Sequence, residues 1–265
     1  METEPMKQLE KMMVSAANMF GKNKRDIFFD LLKFIVGNFE PFPQPDPTWH
    51  YKKEQNVVFH NLMCEYFRVM GEKVKEDGMW YDAWGDLFMS MNVAGNNKGQ
   101  FFTPSGLCDL MADISIKDGA EPLPTHVIGA FGKRVTISDC SCGSGRNLLA
   151  AHAKFVKNGW RKPYLVAEDI DIDCCRMTAV NMMVHGCYGE VICHNTLAEP
   201  ETLRMGYIIN EGLYPFPGLP TIRRCDEASR YFGISVMRHR REAASDKRDT
   251  EKPESPKLQG QLSLW

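Results

Sequence analysis

Apolar residues recur at helical spacing through residues 1–40, as at Ile27, Leu31, Leu32 and Ile35, and the run stops at Gly37-Asn38. Pro41, Pro43, Pro45 and Pro47 then break the chain between Glu40 and Trp49, because proline fixes φ and lacks an amide donor. Helical period returns from Lys52 to Lys75, with Val58, Leu62, Tyr66 and Val69 on one face, and predicts a second helix. From Val135 the pattern changes to short β-branched runs separated by helix-length stretches. Strands are expected at 135–138, 164–167 and 191–193, helices at 146–157 and 173–185, and a fourth strand at 207–209. This βαβ alternation builds a parallel sheet, so the fold class expected is α/β. Arg238 to Lys257 carries twelve charged residues of mixed sign, with Pro253 and Pro256 and no large apolar side chain. Such a segment buries too little surface to order itself. No internal repeat is visible.

Composition narrows the function classes. Charged residues are 25% and apolar ones 43% of the chain, as in ordinary globular proteins. A net charge of −2, from 32 basic and 34 acidic side chains, excludes coating of nucleic acid by bulk charge. DNA contact would need a local patch, and Arg223-Arg224 with Arg238, Arg240 and Arg241 is the candidate. The longest apolar stretch, Phe28 to Val36, contains Asp30 and Lys33 and cannot span a bilayer. Met1 to Met13 lacks the core of a secretory signal, so the expected location is cytoplasmic and no membrane partner is expected. The nine cysteines lack C-x-x-C spacing; they read as reduced, small apolar residues, and no metal site is expected.

The strongest chemical signal is Asp139-Cys140-Ser141-Cys142-Gly143-Ser144-Gly145, set between a predicted strand and a predicted helix. Glycines there let the backbone approach a ligand at the carboxyl edge of a sheet. No Lys-Ser/Thr follows, which excludes a P-loop, and the dinucleotide fingerprint fits badly. The next strand ends in Glu168-Asp169-Ile170-Asp171, where a carboxylate can hold a ribose diol. After the third strand, Asn195 stands where an adenine amino group could be read. A tight βα turn, solvated loop acids and an ordinary turn asparagine are the plainer alternatives.

Further segments join these. Gly99-Gln100-Phe101-Phe102-Thr103-Pro104, Asp139 to Gly145, Asp169-Ile170-Asp171, Asn181 to Gly186 and Asn195-Thr196-Leu197 follow one another in order and spacing. The set resembles the modification subunit of type I restriction systems, within the adenine-N6 DNA methylases, over roughly Asp82 to Leu197. Trp84 to Phe88 is similar to that family's helical lead-in. The resemblance implies a Rossmann-like sheet that binds S-adenosyl-L-methionine and transfers its methyl group to adenine in DNA. It would place Phe102 and Thr103 against the cofactor, Asp139, Gly143 and Gly145 around its methionine part, Asp169 on the ribose and Asn195 at the adenine. The family more often carries an acid at the last of these positions.

One departure concerns catalysis. Family members carry Asn-Pro-Pro-aromatic after the fourth strand, where the Asn accepts from the target amine and the ring stacks on a flipped base. Here the segment reads Asn210-Glu211-Gly212-Leu213, with Tyr214-Pro215-Phe216-Pro217 beyond. Asn210 is then the one catalytic residue of that kind. The chain after it is too short for the remaining strands and a target-recognition domain, so the sheet would be incomplete and specificity would come from a specificity subunit or a second methyltransferase chain. The last residues, Gln261, Leu262, Ser263, Leu264 and Trp265, are similar to the peptide by which bacterial proteins dock on the DNA sliding clamp. The organisation expected is a helical region over 1–98, a methyltransferase-like domain over 99–237 and a disordered tail over 238–265. The function expected is adenine-N6 DNA methylation. The rivals are a catalytically silent relative acting through partners, and a small-molecule methyltransferase.

Overall fold

The computed structural model describes residues 4–41, 43, 46–76, 79–93, 101–124, 126–128, 132–197, 205–211 and 219–225. The charged tail, its terminal peptide, Gly99-Gln100 and Gly212-Leu213 lie outside them.

The first apolar run forms two helices, α1 (Glu4–Phe20) and α2 (Lys24–Asn38), where the pattern predicted one. Gly21, at φ +63°, turns the chain between them, and the Asn23 side chain caps α2 by accepting from Asp26 N. After the proline segment comes α3 (Lys53–Glu76), as its period predicts. Two short helices that periodicity did not reveal follow: α4 (Ala83–Ser90) and α5 (Ser105–Ser115). The β1 (His126–Ile128) and β2 (Gly132–Arg134) strands make a small antiparallel pair.

The main sheet then alternates β3 (Thr136–Asp139), α6 (Arg146–Lys157), β4 (Tyr164–Asp169), α7 (Ile172–Val184) and β5 (Tyr188–Cys193). It ends with β6 (Met205–Ile209) and β7 (Ile222–Cys225), and the strand order is β3-β4-β5-β6-β7. Only β3, β4 and β5 are parallel. These three are the strands the βαβ alternation predicts as parallel, whereas β6 returns antiparallel beside β5, with Gly189 opposite Ile209, and β7 pairs antiparallel with β6. A parallel neighbour needs a crossover of a dozen or more residues, usually a helix, and the link 194–204 is shorter than that.

Two right-handed crossovers advancing in one direction put α6 and α7 on the same face of the sheet. Leu165 and Ala167 of β4 and Val191 and Cys193 of β5 face that side, while Tyr164, Val166 and Ile192 alternate to a second cluster. The α7 helix lies so close that a Cβ at Gly189 would stand 2.1 Å from Leu165 O and 2.7 Å from Met182 Cε. On its other side α7 meets α2 and α4. One core therefore runs from Leu9 in α1 through Phe28 and Trp84 to Val191 and Ile222. The helices and the sheet share an interior. All nine cysteines are free and seven are buried. No helix among the described residues is long and apolar enough to cross a membrane.

Candidate functional site

The site forms where β3 and β4 end side by side. β3 closes on Asp139, whose Oδ1 accepts from Ser141 N at 3.1 Å and whose Oδ2 accepts from Asn147 Nδ2 at 3.2 Å. The turn that follows needs its glycines. Gly143 has φ +57° and Gly145 φ +92°, and an added Cβ would meet the Phe102 ring at 3.0 Å or Thr178 Cγ2 at 3.1 Å. Thr178 Oγ1 in α7 donates to Gly143 O at 2.9 Å, and Cys142 N donates to Glu168 O at 2.9 Å.

Asp169 faces this turn across the pocket. Its Oδ2 accepts from Gly143 N at 2.9 Å and its Oδ1 from Asp171 N at 2.9 Å. Burial raises its pKa, and these backbone donors oppose the rise. A carboxylate offers about four lone-pair sites, so two amides leave acceptor capacity on both oxygens. His194 N donates to Asp169 O at 3.0 Å, which draws the segment after β5 to the same edge. There Asn195 Oδ1 accepts from Leu197 N at 3.1 Å, so part of its amide shapes a turn.

Phe102 and Thr103 close the pocket from the segment before α5. Phe102 packs on Phe88, with ring centroids 5.1 Å apart, and Thr103 O accepts from Arg146 Nη1 at 3.1 Å. Thus Phe102, Thr103, Gly143 and Asp169 line one cleft, with Asp139 and Gly145 bracing its turn and Asn195 at the neighbouring strand end. A larger, more apolar groove lies between α5, α6 and β3 and meets this cleft at Asn147. Backbone amides and a carboxylate converge in the first and pair with one another there. Burial pushes the Cys142 and Cys174 thiols up, so neither is a thiolate at neutral pH.

Asn210 is elsewhere. Because β6 runs antiparallel to β5, Ile209 lies opposite Gly189 at the start of β5, so Asn210 emerges at the edge of the sheet opposite to Asp139 and Asp169. Its side chain is engaged there: Nδ2 donates to Met183 O at 3.1 Å and to Cys187 O at 2.9 Å, and Oδ1 accepts from Thr221 N at 3.0 Å. Its φ of +54° is a turn conformation. The candidate phosphate-binding arginines are also committed, Arg223 to Glu211 and Arg224 to Glu40 at 3.9 Å. Arg238, Arg240 and Arg241 lie outside the described residues.

Sequence spacing missed the residues that hold the turn from behind. Asp82, Arg146, Thr178 and Asn181 surround it, and only family motifs near positions 82 and 181 hinted at two of them.

The described residues thus hold a βαβαβ core with a glycine turn after its first parallel strand and an acid at the end of its second. The model of the N-6 DNA Methylase family matches residues 81–213, half of the chain, and the chain belongs to that family. Among solved structures it is similar to the type I restriction-modification system methyltransferase subunit from Streptococcus thermophilus. Identity is 20%, the match covers 57% of this chain and 30% of that one, and the TM-score is 0.38. The chain thus spans less than a third of that protein. Among curated proteins none matches it.

Proposed function

We propose that this N-6 DNA methylase family member binds S-adenosyl-L-methionine in the cleft between Phe102 and Asp169, and acts on DNA only with acceptor-side groups from another chain. The observation that carries the reading is the split between the two sheet edges. The cofactor-type residues converge at one edge, and Asn210 is held at the other by three hydrogen bonds. When bound, the cofactor would supply an electrophilic methyl group on a sulfonium. Asp169 would accept from the ribose hydroxyls, and the Gly143–Gly145 turn would leave room for the methionine part. Phe102 and Thr103 would cover the ligand and exclude water, and Asn195 would border the adenine. Glu211, beside Asn210, is paired with Arg223, so these two residues, the described ones directly after β6, offer neither an open amide nor a cationic approach for DNA.

The partners in this reading are DNA, a specificity subunit or a second methyltransferase chain, and a sliding clamp reached through Gln261 to Trp265. The clamp rests on sequence alone. The second reading, an adenine-N6 DNA methyltransferase that acts without another chain, rests on family membership.

Calorimetry and label transfer separate the two. The purified protein is expected to bind S-adenosylmethionine, and Asp169→Ala to weaken that binding by about tenfold or more, the loss of two charge-assisted hydrogen bonds. Labelled cofactor should leave no label in unmethylated DNA when the protein acts alone. Label in DNA would establish the self-sufficient enzyme instead, and no heat with cofactor or with its demethylated product would remove the cofactor assignment.

A further inference from the structure

Four donors converge on one carboxylate behind the cofactor turn. Asp82 is only 2% exposed. Its Oδ1 accepts from Gly85 N at 2.8 Å, capping α4, and from Asn181 Nδ2 of α7 at 2.7 Å. Its Oδ2 accepts from Ser144 Oγ and from Arg146 Nε, both at 2.5 Å. One oxygen thus grips the helices and the other grips the turn and the start of α6.

The surroundings are built to keep it there. A Cβ at Gly85 would fall 2.0 Å from Asp82 Oδ2 and 2.8 Å from Arg146 Nη2, so only glycine fits against the pair. The preceding backbone is fixed by Tyr81 N, which donates to His185 Nε2 at 3.0 Å, while His185 Nδ1 stands 2.7 Å from Asn181 O. Asn181 Nδ2 also donates to Ser144 O at 2.9 Å. Burial works against the Arg146 charge, but Asp82 and Asp86 outweigh it and raise the guanidinium pKa.

The turn has reason to need an outside support. Ser144 stands between Gly143 and Gly145, both at positive φ, and glycine carries the greatest backbone freedom in an unconstrained chain. Gly143 N must nevertheless point at Asp169, 2.9 Å away. We propose that Asp82 is a positioning residue for the cofactor, which sets the Gly143–Gly145 turn through Ser144 and Arg146 and makes the N-terminal helices a determinant of cofactor affinity. The inference rests on the reading that the cleft takes S-adenosylmethionine. Without Asp82 the turn is ordered only when the ligand arrives, and the ordering cost is subtracted from binding.

Asp82→Asn tests this. An amide oxygen in place of Oδ1 still accepts from Gly85 N and Asn181 Nδ2, while the new NH2 group confronts the Ser144 and Arg146 donors. The dissociation constant for S-adenosylmethionine, measured by calorimetry well below the melting temperature, should rise by about tenfold. Backbone amides 143–145 should exchange hydrogen faster in the ligand-free variant. Ser144→Ala, which removes one donor and leaves three, should raise the constant by about threefold and decides the matter if Asp82→Asn does not fold. Val69→Ala in α3 is the control, with a lower melting temperature and unchanged affinity. Wild-type affinity in the folded Asp82 variant, or an equal affinity loss in the Val69 control, would overturn the inference alone. A wild-type protein that takes up no S-adenosylmethionine would remove the cofactor reading and this inference with it.

Discussion

Asp169 and Asn210 show how far single residues could be read. An acid two residues before a helix cap, at the end of a β-branched run, has few places to go in an open α/β sheet, and Asp169 does end β4, where the structure sets it opposite Gly143. Asp139, Gly143 and Gly145 were legible for the same reason, since a strand-turn-helix boundary fixes their position locally. Asn210 was not, because its neighbours in sequence say nothing about the direction in which β6 enters the sheet. Its environment is that of a structural turn residue, with a left-handed φ and three hydrogen bonds joining the ends of α7 and β5 to the segment before β7. Asn210→Ala should therefore lower the unfolding free energy by about 3 kcal/mol, from unsatisfied buried groups and left-handed strain, in chemical denaturation. Its affinity for S-adenosylmethionine should equal that of the wild type in the folded range. An affinity loss as large as that of Asp169→Ala would place the residue at the cofactor after all.

At the scale of elements, strong periodicity was reliable and short elements were not. The α3, α6 and α7 helices and the first three main-sheet strands follow the apolar pattern, because each buries a continuous face. The α4 and α5 helices escaped because they are short, and α4 is defined less by period than by the Asp82 cap and the Gly85 contact. β7 was hidden by Arg223 and Arg224 in its centre, where the two charges point to opposite faces and meet Glu211 and Glu40. The α6 helix carries a further consequence. His152 is buried, its Nε2 has no hydrogen-bond partner among the described residues, and burial, reinforced by Lys162 and His185, lowers its pKa to about 3. The unfolded chain takes up a proton near pH 6.5 and the folded chain does not. The stabilising contribution is therefore present above that pH and is lost as pH falls below it, by about 2 kcal/mol between pH 7 and pH 5. His152→Leu should flatten that part of the stability curve in pH-dependent denaturation. An unchanged slope would mean that the imidazole is not held neutral.

Among the described residues the helices and the sheet are parts of one interior, and the cleft between Phe102 and Asp169 draws on both. Composition and pattern announced an α/β chain with a helical start. They could not announce that Trp84, Phe28 and α7 would merge the two regions, because long-range packing has no local signature. The order of the sheet was illegible for a related reason: which edge receives the fourth strand depends on the length of a connection and on the face that the second apolar cluster, with Ile192 and Ile208, must bury. That reversal decides which rim of the sheet Asn210 occupies. Rewriting Glu211, Gly212 and Leu213 as Pro, Pro and Phe would respell the missing signature, yet it should give no methylated DNA in a label-transfer assay, because the repaired letters would still leave the strand on the far rim. In the proposed reading the outcome is set by the threading of the strand rather than by the letters that follow it.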